Sequence, residues 1–369
     1  MISKNKSSKA ERKYAHVSAN RSTAALRGAF WSAVSSNAPT ILGALVFIIT
    51  SRYLSPRDFG VVALASSVIS MASAIAPVAF GEALIQQQNI NNRHLNSVFW
   101  ICIISAIIIY SVLIAAINPI TSYLNQPEAA EFLPVLGLKL FFDLSGTVPN
   151  ALISRSMSFH IVAARTVIAT IISSAICIAL LVYGYGAWSL VVSQVFGSVT
   201  TCVTSMLGAK WMPRFEFGVK EIKELLRYGL FASANRILSL LSLDQLIIGV
   251  FIGQAPLGIF NFSRRLFQMV NDIIAGALTS VTHSLFSSMQ QEKEKLRDAF
   301  LFATFGSSIV SFPAFVGLAC VVGDLIPTVF GSQWVDAVVP TRWFCVIGLL
   351  SCIGLIQASL FKSQGKTDW

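Results

Sequence analysis

Residues 256–282 form an oily stretch interrupted by Asn261, Arg265, Gln268, Asp272, Gly276 and Thr279, with His283 just beyond. The steps between these residues are four, three, four, four, three and four, so on an α-helix they share one face. Amides, a cation and a carboxylate in such a row can do two kinds of work. They can join helices through hydrogen bonds, or they can line a wet path for a polar ligand. Joining needs one or two such groups and a path needs a row, which favours the path. Arg264 lies off the row, towards the outer end of the same helix.

Other charges sit in apolar surroundings. Lys139 and Asp143 are four apart within 132–153, and Arg236 and Asp244 share 230–252. An ionisable group in hydrocarbon costs a few kcal/mol or more, so each is expected to face a partner or a cavity. Lys139–Asp143 is readable as a locked ion pair or as part of the path. A milder row, Ser66, Ser70, Ser73, Pro77 and Gly81, runs down the second apolar stretch and ends near Glu82. The candidate translocation path is therefore Arg265, Asp272, Asn261, Gln268, Arg236, Asp244, Lys139 and Asp143. His283, alone at its depth, reads as a hydrogen-bonded polar residue rather than a proton relay.

Nothing points to an enzyme or to a cofactor. There is no Asp-x-Asp pair and no Ser-His-Asp set with an aqueous home. Gly365–Thr367 reads Gly-Lys-Thr, but Leu360 stands where a P-loop needs glycine. The six cysteines lie in apolar stretches without a Cys-x-x-Cys pair, which disfavours metal or redox roles and suits small buried hydrophobes.

The elements that carry these residues follow from composition. Of 369 residues, 54% are hydrophobic and 12% charged, and the mean hydropathy is +0.69. Soluble domains average about 25% charged residues, so so few charges cannot clothe a water-facing surface. Stretches of roughly 20 apolar residues, the length of a membrane-crossing helix, recur at 29–50, 59–81, 97–117, 132–153, 163–183, 187–208, 230–252, 256–282, 299–321 and 341–361. They predict an all-α polytopic membrane protein with about ten transmembrane helices. A β-barrel needs shorter, alternating strands, and the run from Ile101 to Ile117 does not alternate. The first stretch exceeds the ~7–15 apolar residues of a cleaved signal peptide.

The net charge of +10 orients these helices rather than binding nucleic acid. With the N-terminus inside, 20 of the Lys and Arg residues fall on cytoplasmic segments, and only Arg52, Arg57 and Arg342 fall outside. That asymmetry is the positive-inside rule, and it predicts a multi-pass protein of the cytoplasmic (inner) membrane with both termini in the cytoplasm.

The longest cytoplasmic link, 209–229, carries the densest run of cations, and its segment 219–226 has the pattern of an amphipathic helix on the inner leaflet. It divides the chain into a basic tail (1–28), a lobe of six helices (29–208), the linker (209–229) and a second lobe of four (230–369). Two phrases, Tyr53–Ala65 and Phe251–Ser263, match at an offset of 198, which sets Gly60 against Gly258. Each joins the first two helices of its lobe in the same sense. Such parallel repeats belong to transporters that pass substrate between two lobes. The second lobe is two helices short of the first and is expected to be truncated. The outer segment 323–341 carries Trp334, placed as an interfacial anchor.

The phrases starting at Arg52 ("RYLSPRDFGVVALA"), Phe80 ("FGEALIQQ"), Gly146 ("GTVPNALISRSMSF"), Gly184 ("GYGAWSLVVSQ"), Asp244 ("DQLIIGVFIGQAPLGIFNFSRRL") and Val329 ("VFGSQWVDAVVP") resemble, in order and spacing, the polysaccharide exporters of the multidrug/oligosaccharidyl-lipid/polysaccharide (MOP) superfamily, nearest to the colanic-acid type. The resemblance implies two six-helix bundles, a central cavity and alternating access. It also implies a flippase for undecaprenyl-pyrophosphate-linked oligosaccharide repeat units, with other polysaccharide assembly proteins as partners. By position, Asp244 and Arg265 match the family's acidic residue and arginine, whereas His283 stands where many relatives have proline. The alternatives are a multidrug or cation exporter of the same superfamily, which should show an acidic cavity, and a membrane glycan polymerase or ligase, which should show a large outer loop with arginine and histidine.

Overall fold

A computed structural model describes residues 38–77, 79–87, 90–123, 127–218, 222, 243–288 and 293–363. The described residues are helices and short connections. They comprise α1 (Ala38–Tyr53), α2 (Pro56–Ile75), α3 (Ala79–Gln86), α4 (Asn92–Tyr123), α5 (Ala129–Ser145), α6 (Thr147–Arg155), α7 (Phe159–Val182) and α8 (Trp188–Ala209). After residue 242 come α9 (Leu243–Ile247) with a π-turn (Ile248–Ile252), α10 (Gln254–Ser288), α11 (Lys293–Leu325) with a π-turn (Ile326–Phe330), a 3₁₀ segment (Ser332–Ala337) and α12 (Val338–Ser363). The basic tail, Arg236, most of 219–226 and the first part of the seventh apolar stretch lie outside the described residues.

Seven stretches are long and apolar enough to cross a bilayer among the described residues. They correspond to the second to sixth, ninth and tenth of the expected ten. α10, which carries the polar row, is not among them, although its 35 residues span about 50 Å. The surface is apolar where a soluble protein would be polar. Ile104, Ile107, Ile108 and Val112 on α4, and Phe302, Phe305 and Ile309 on α11, face outward, while Ser67, Ser189, Ser205 and Ser311 are buried. Long helices that are greasy outside and hydroxyl-bearing inside are solvated by lipid.

Two expected helices are each two in fact, and proline explains both breaks. α2 ends at Ile75 because Pro77 has no N–H for the Ser73 carbonyl, which instead accepts from Ala76 N at 3.1 Å. The stretch 132–153 breaks at Gly146, where Pro149 likewise leaves the Ser145 carbonyl without its helical donor.

The matched phrases build matched corners. Ser55 caps α2, accepting from Asp58 N, while the Asp58 carboxylate accepts from Ser55 N at 2.9 Å, and Pro56 takes the first turn. The corresponding residue before α10, Gly253, has φ +118°, a conformation that favours glycine. α2 and α10 pack along each other and cross at Gly60 and Gly258. A Cβ on Gly60 would stand 1.9 Å from the Gln254 carbonyl oxygen, and one on Gly258 would stand 1.8 Å from that of Pro56. The offset between 56 and 254 is again 198.

Contacts around this crossing gather one end of the molecule. Arg57 hydrogen-bonds the Gln254 side chain at 3.0 Å and pairs with Glu128. Arg52 donates to the Val329 carbonyl at 2.7 Å and to that of Thr328. Trp334 is not an interfacial anchor. It is fully buried, donates Nε1–H to the Ser51 carbonyl at 2.8 Å and stacks on Phe262 at 4.3 Å between centroids. The 3₁₀ segment folds back over the end of α1, so the indole is sheltered from both lipid and water. At the opposite end, Arg155 is buried and caps α3 through the Leu84 and Gln87 carbonyls. There Asn96 and Ser97 hold the backbone of Arg214 and Gly218 at 3.1 and 2.9 Å.

Candidate substrate cavity

α7 and α8 pack on each other, and α10 packs on α2, α11 and α12. Where these groups part, a cavity of about 670 Å³ opens, lined by α1, α2, α7, α8, α9 and α10. α10 contributes Asn261, Arg265 and Gln268 from the polar row, together with Arg264. Asp272, one turn further, lines an adjoining space of about 210 Å³ with Arg265, Gln268 and Thr40. Asn261, Arg265 and Gln268 thus line the main cavity, and Asp272 lines the smaller space beside it. The side chains of Gly276, Thr279 and His283 lie outside the described residues.

Arg265 is held from three sides. Its guanidinium carbon lies 5.8 Å from the centre of the Phe47 ring, within cation–π range. Phe47 is fixed in turn by Phe262 and Phe330, at centroid distances of 5.0 and 5.5 Å. Gly43 gives the guanidinium room, since a Cβ there would come to 3.4 Å of Nη2. Asp272 supplies an opposite charge from the next space. Among the described residues Arg265 makes no hydrogen bond, so its fork remains available to a ligand.

Arg264 lies off the row in sequence, yet it too borders the same chamber. Its Nη1 pairs with Asp244 Oδ2 at 2.6 Å. Asp244 is therefore the partner of Arg264, and it is not itself in the cavity lining. Lys139 and Asp143 form a loose pair at 3.9 Å. They line a third, small space of about 60 Å³ with Ser66, Ser70 and Ser73 of the milder row. Ser66 and Gln194 line both this space and the main cavity, so the two adjoin.

Sequence reasoning missed the opposite wall. Thr170, Ser173 and Ser174 on α7 and Ser193 and Gln194 on α8 all face the cavity. Their helical spacing was a signal, but hydroxyls commonly satisfy themselves on their own helix, as Thr170 does on the Thr166 carbonyl at 2.9 Å. The lining of the main cavity described here contains two arginines and no carboxylate.

Fold and cavity define a helical membrane protein with an arginine-bearing chamber between helix groups. A polysaccharide biosynthesis protein family matches residues 49–339, and the chain belongs to that family. It is 26% identical over 88% of its length to the succinoglycan biosynthesis transport protein ExoT of Rhizobium meliloti (strain 1021), of which it covers 65%. It is 24% identical over 93% of its length to the teichuronic acid biosynthesis protein TuaB of Bacillus subtilis (strain 168), covering 72%. It is 23% identical over 93% of its length to the lipopolysaccharide biosynthesis protein WzxC of Escherichia coli (strain K12), covering 70%. The chain thus spans about two thirds of the length of these relatives.

The fold is that of the MOP superfamily. An inward-facing multidrug resistance MATE family transporter aligns with a TM-score of 0.63 and 18% identity, over 91% of this chain and 85% of the other. An outward-facing one aligns with a TM-score of 0.56 and 17% identity, over 98% and 85%.

Proposed function

We propose that this protein is a flippase that moves undecaprenyl-pyrophosphate-linked oligosaccharide repeat units across the cytoplasmic membrane for surface polysaccharide synthesis. One observation carries the reading: the charged groups lining the main cavity are Arg264 and Arg265, without a carboxylate among the described lining. A diphosphate brings at least two negative charges into a region of low dielectric, where an unpaired charge is most costly. A planar guanidinium with free donors meets phosphate oxygens in a bidentate fork. An exporter of cationic drugs would call for the opposite sign. The names of the relatives, which concern succinoglycan, teichuronic acid and lipopolysaccharide synthesis, agree with a glycan cargo.

In this reading the path residues are Arg265, Asn261 and Gln268, with Asp272 tuning Arg265 and Asp244 neutralising Arg264. The lobes are 29–208 and 230–369, joined by 209–229, and the parallel repeat relates them through the Gly60–Gly258 crossing. The end that holds Ser51, Arg57, Gln254 and Trp334 faces outward, and the end that holds Arg155 and Arg214 faces the cytoplasm. This follows from the excess of cations on that side. Substrate then enters from the cytoplasmic leaflet while the outer end is closed.

The test is export of polysaccharide by cells that depend on this gene. Arg265→Ala should abolish export at equal membrane abundance, whereas Arg265→Lys retains charge and part of the activity. Undiminished export by Arg265→Ala would refute the reading.

A further inference from the structure

Resting on the flippase reading, we infer that the cavity reads its cargo in two parts: α10 takes the diphosphate, and Gln194 with Ser66 takes the saccharide by hydrogen bonding. The cations of the cavity all come from α10. Across from them, α2, α7 and α8 present uncharged hydrogen-bonding groups, which suit a neutral polyol.

These groups are not equivalent. Thr170, Ser173 and Ser193 each donate to a carbonyl of their own helix, at 2.9, 3.1 and 3.0 Å. Their protons are committed, and they keep only lone pairs to offer a sugar hydroxyl. Gln194 is different. It has no hydrogen-bond partner among the described residues, and its carboxamide offers donors and an acceptor together. That combination can span two neighbouring hydroxyls of a sugar ring.

Ser66 supplies an independent sign. Its hydroxyl oxygen is buried and has no hydrogen-bond partner among the described residues. It lines the same junction of the two spaces as Gln194. Buried polar atoms are satisfied in the great majority of cases, and leaving one unpaired is costly. A hydroxyl-bearing ligand at the junction would satisfy Ser66 and Gln194 at once. The main cavity is within the ~300–1,000 Å³ that enclose drug-sized ligands, enough for a polar head group while a polyprenyl chain stays in lipid.

The experiment measures binding to the purified protein in lipid nanodiscs. The probes are a short polyprenyl diphosphate, and the same lipid bearing a hexose, an N-acetylhexosamine or a disaccharide. The wild type should bind at least one glycosylated probe more tightly than the bare diphosphate, by about tenfold for one or two added hydrogen bonds. Gln194→Leu, which keeps the side chain's bulk, and Ser66→Ala should each erase most of that ratio, and Gln194→Asn should recover part of it. Arg265→Ala should weaken bare and glycosylated probes alike.

Equal binding of all probes by the wild type, or an unchanged ratio in Gln194→Leu and Ser66→Ala, would overturn the inference while leaving the diphosphate reading intact. Failure of every diphosphate probe to bind, or indifference of the bare probe to Arg265→Ala, would instead remove the flippase reading and this inference with it.

Discussion

Gly60 and Gly258 meet where α2 and α10 cross, each so close that an added Cβ would fall within 2 Å of a carbonyl oxygen on the other helix. The contact is reciprocal: Gly60 faces Gln254 and Gly258 faces Pro56, and both pairs are related by the same repeat offset. Two corners of one sequence pattern are thereby packed against each other, backbone to backbone. Neither helix can yield locally, because the opposing atoms are main chain rather than the end of a flexible side chain.

Gly60→Ala and Gly258→Ala are therefore each expected to destabilise the protein by about 1–3 kcal/mol or more, the cost of forced overpacking. Gly306→Ala and Gly317→Ala on α11 serve as controls, since a Cβ there meets nothing within 4 Å. In a helix interior they should be neutral or stabilising by up to ~1 kcal/mol. Thermal unfolding in detergent compares the four variants, and equal melting across them would contradict the close crossing.

Hydrogen bonds tie the 3₁₀ segment to the last turn of α1, at the end proposed to be closed. Trp334→Phe keeps the ring stack on Phe262 but loses the bond to the Ser51 carbonyl, and Gln333→Ala loses the bonds to Ser51 and Leu54. The double variant should open this end. In a background without native cysteines, a cysteine in place of the buried Leu54 should then react faster with a polar maleimide, by about tenfold. An unchanged rate would show that the hydrogen bonds do not hold the closure.

Arg264 and Asp244 form an ion pair beside a wet cavity, so their mutual stabilisation is expected to be only about 0.5–1 kcal/mol. The pair matters more for charge. Asp244→Asn leaves the Arg264 cation uncompensated and should raise affinity for a polyprenyl diphosphate a few-fold, whereas Arg264→Gln should lower it. The same direction of change in both variants would argue against Arg264 as part of the anion site.

Orientation is tested by thiol labelling of intact cells. Single cysteines at Tyr53, Gln254 and Gln333 should react with an impermeant reagent from outside, and one at Arg214 should not. All four positions lie in or beside connections at the helix ends, so the result reads sidedness. Labelling of Arg214→Cys alone would invert the topology.

How much of this was legible in the residues differs from place to place. The face of α10 was, because Asn261, Arg265, Gln268 and Asp272 keep a helical period and each lines the main cavity or the space beside it. Arg264 was not. It sits one residue from the row, and whether it faces lipid or cavity depends on where α2 and α10 diverge, which spacing alone does not encode. Trp334 misled for a similar reason. Indoles favour the membrane interface, but a 3₁₀ segment folded over α1 offered this one a carbonyl and an aromatic stack. The breaks at Pro77 and Pro149 were readable in principle, since each proline withdraws one helical N–H. Hydropathy over 20 residues averages such breaks away. The α7–α8 wall stayed hidden because serine and threonine satisfy themselves against their own helix, whether or not a ligand faces them.

The most direct test of the cationic cavity is transport itself, measured in proteoliposomes that contain a fluorescent polyprenyl-diphosphate oligosaccharide. With equal amounts of protein inserted, Arg265→Ala should slow translocation by about 30-fold or more, the effect of removing one partner of a desolvated charge pair. Arg265→Lys should fall between it and the wild type. Translocation by Arg265→Ala at the wild-type rate would contradict the account.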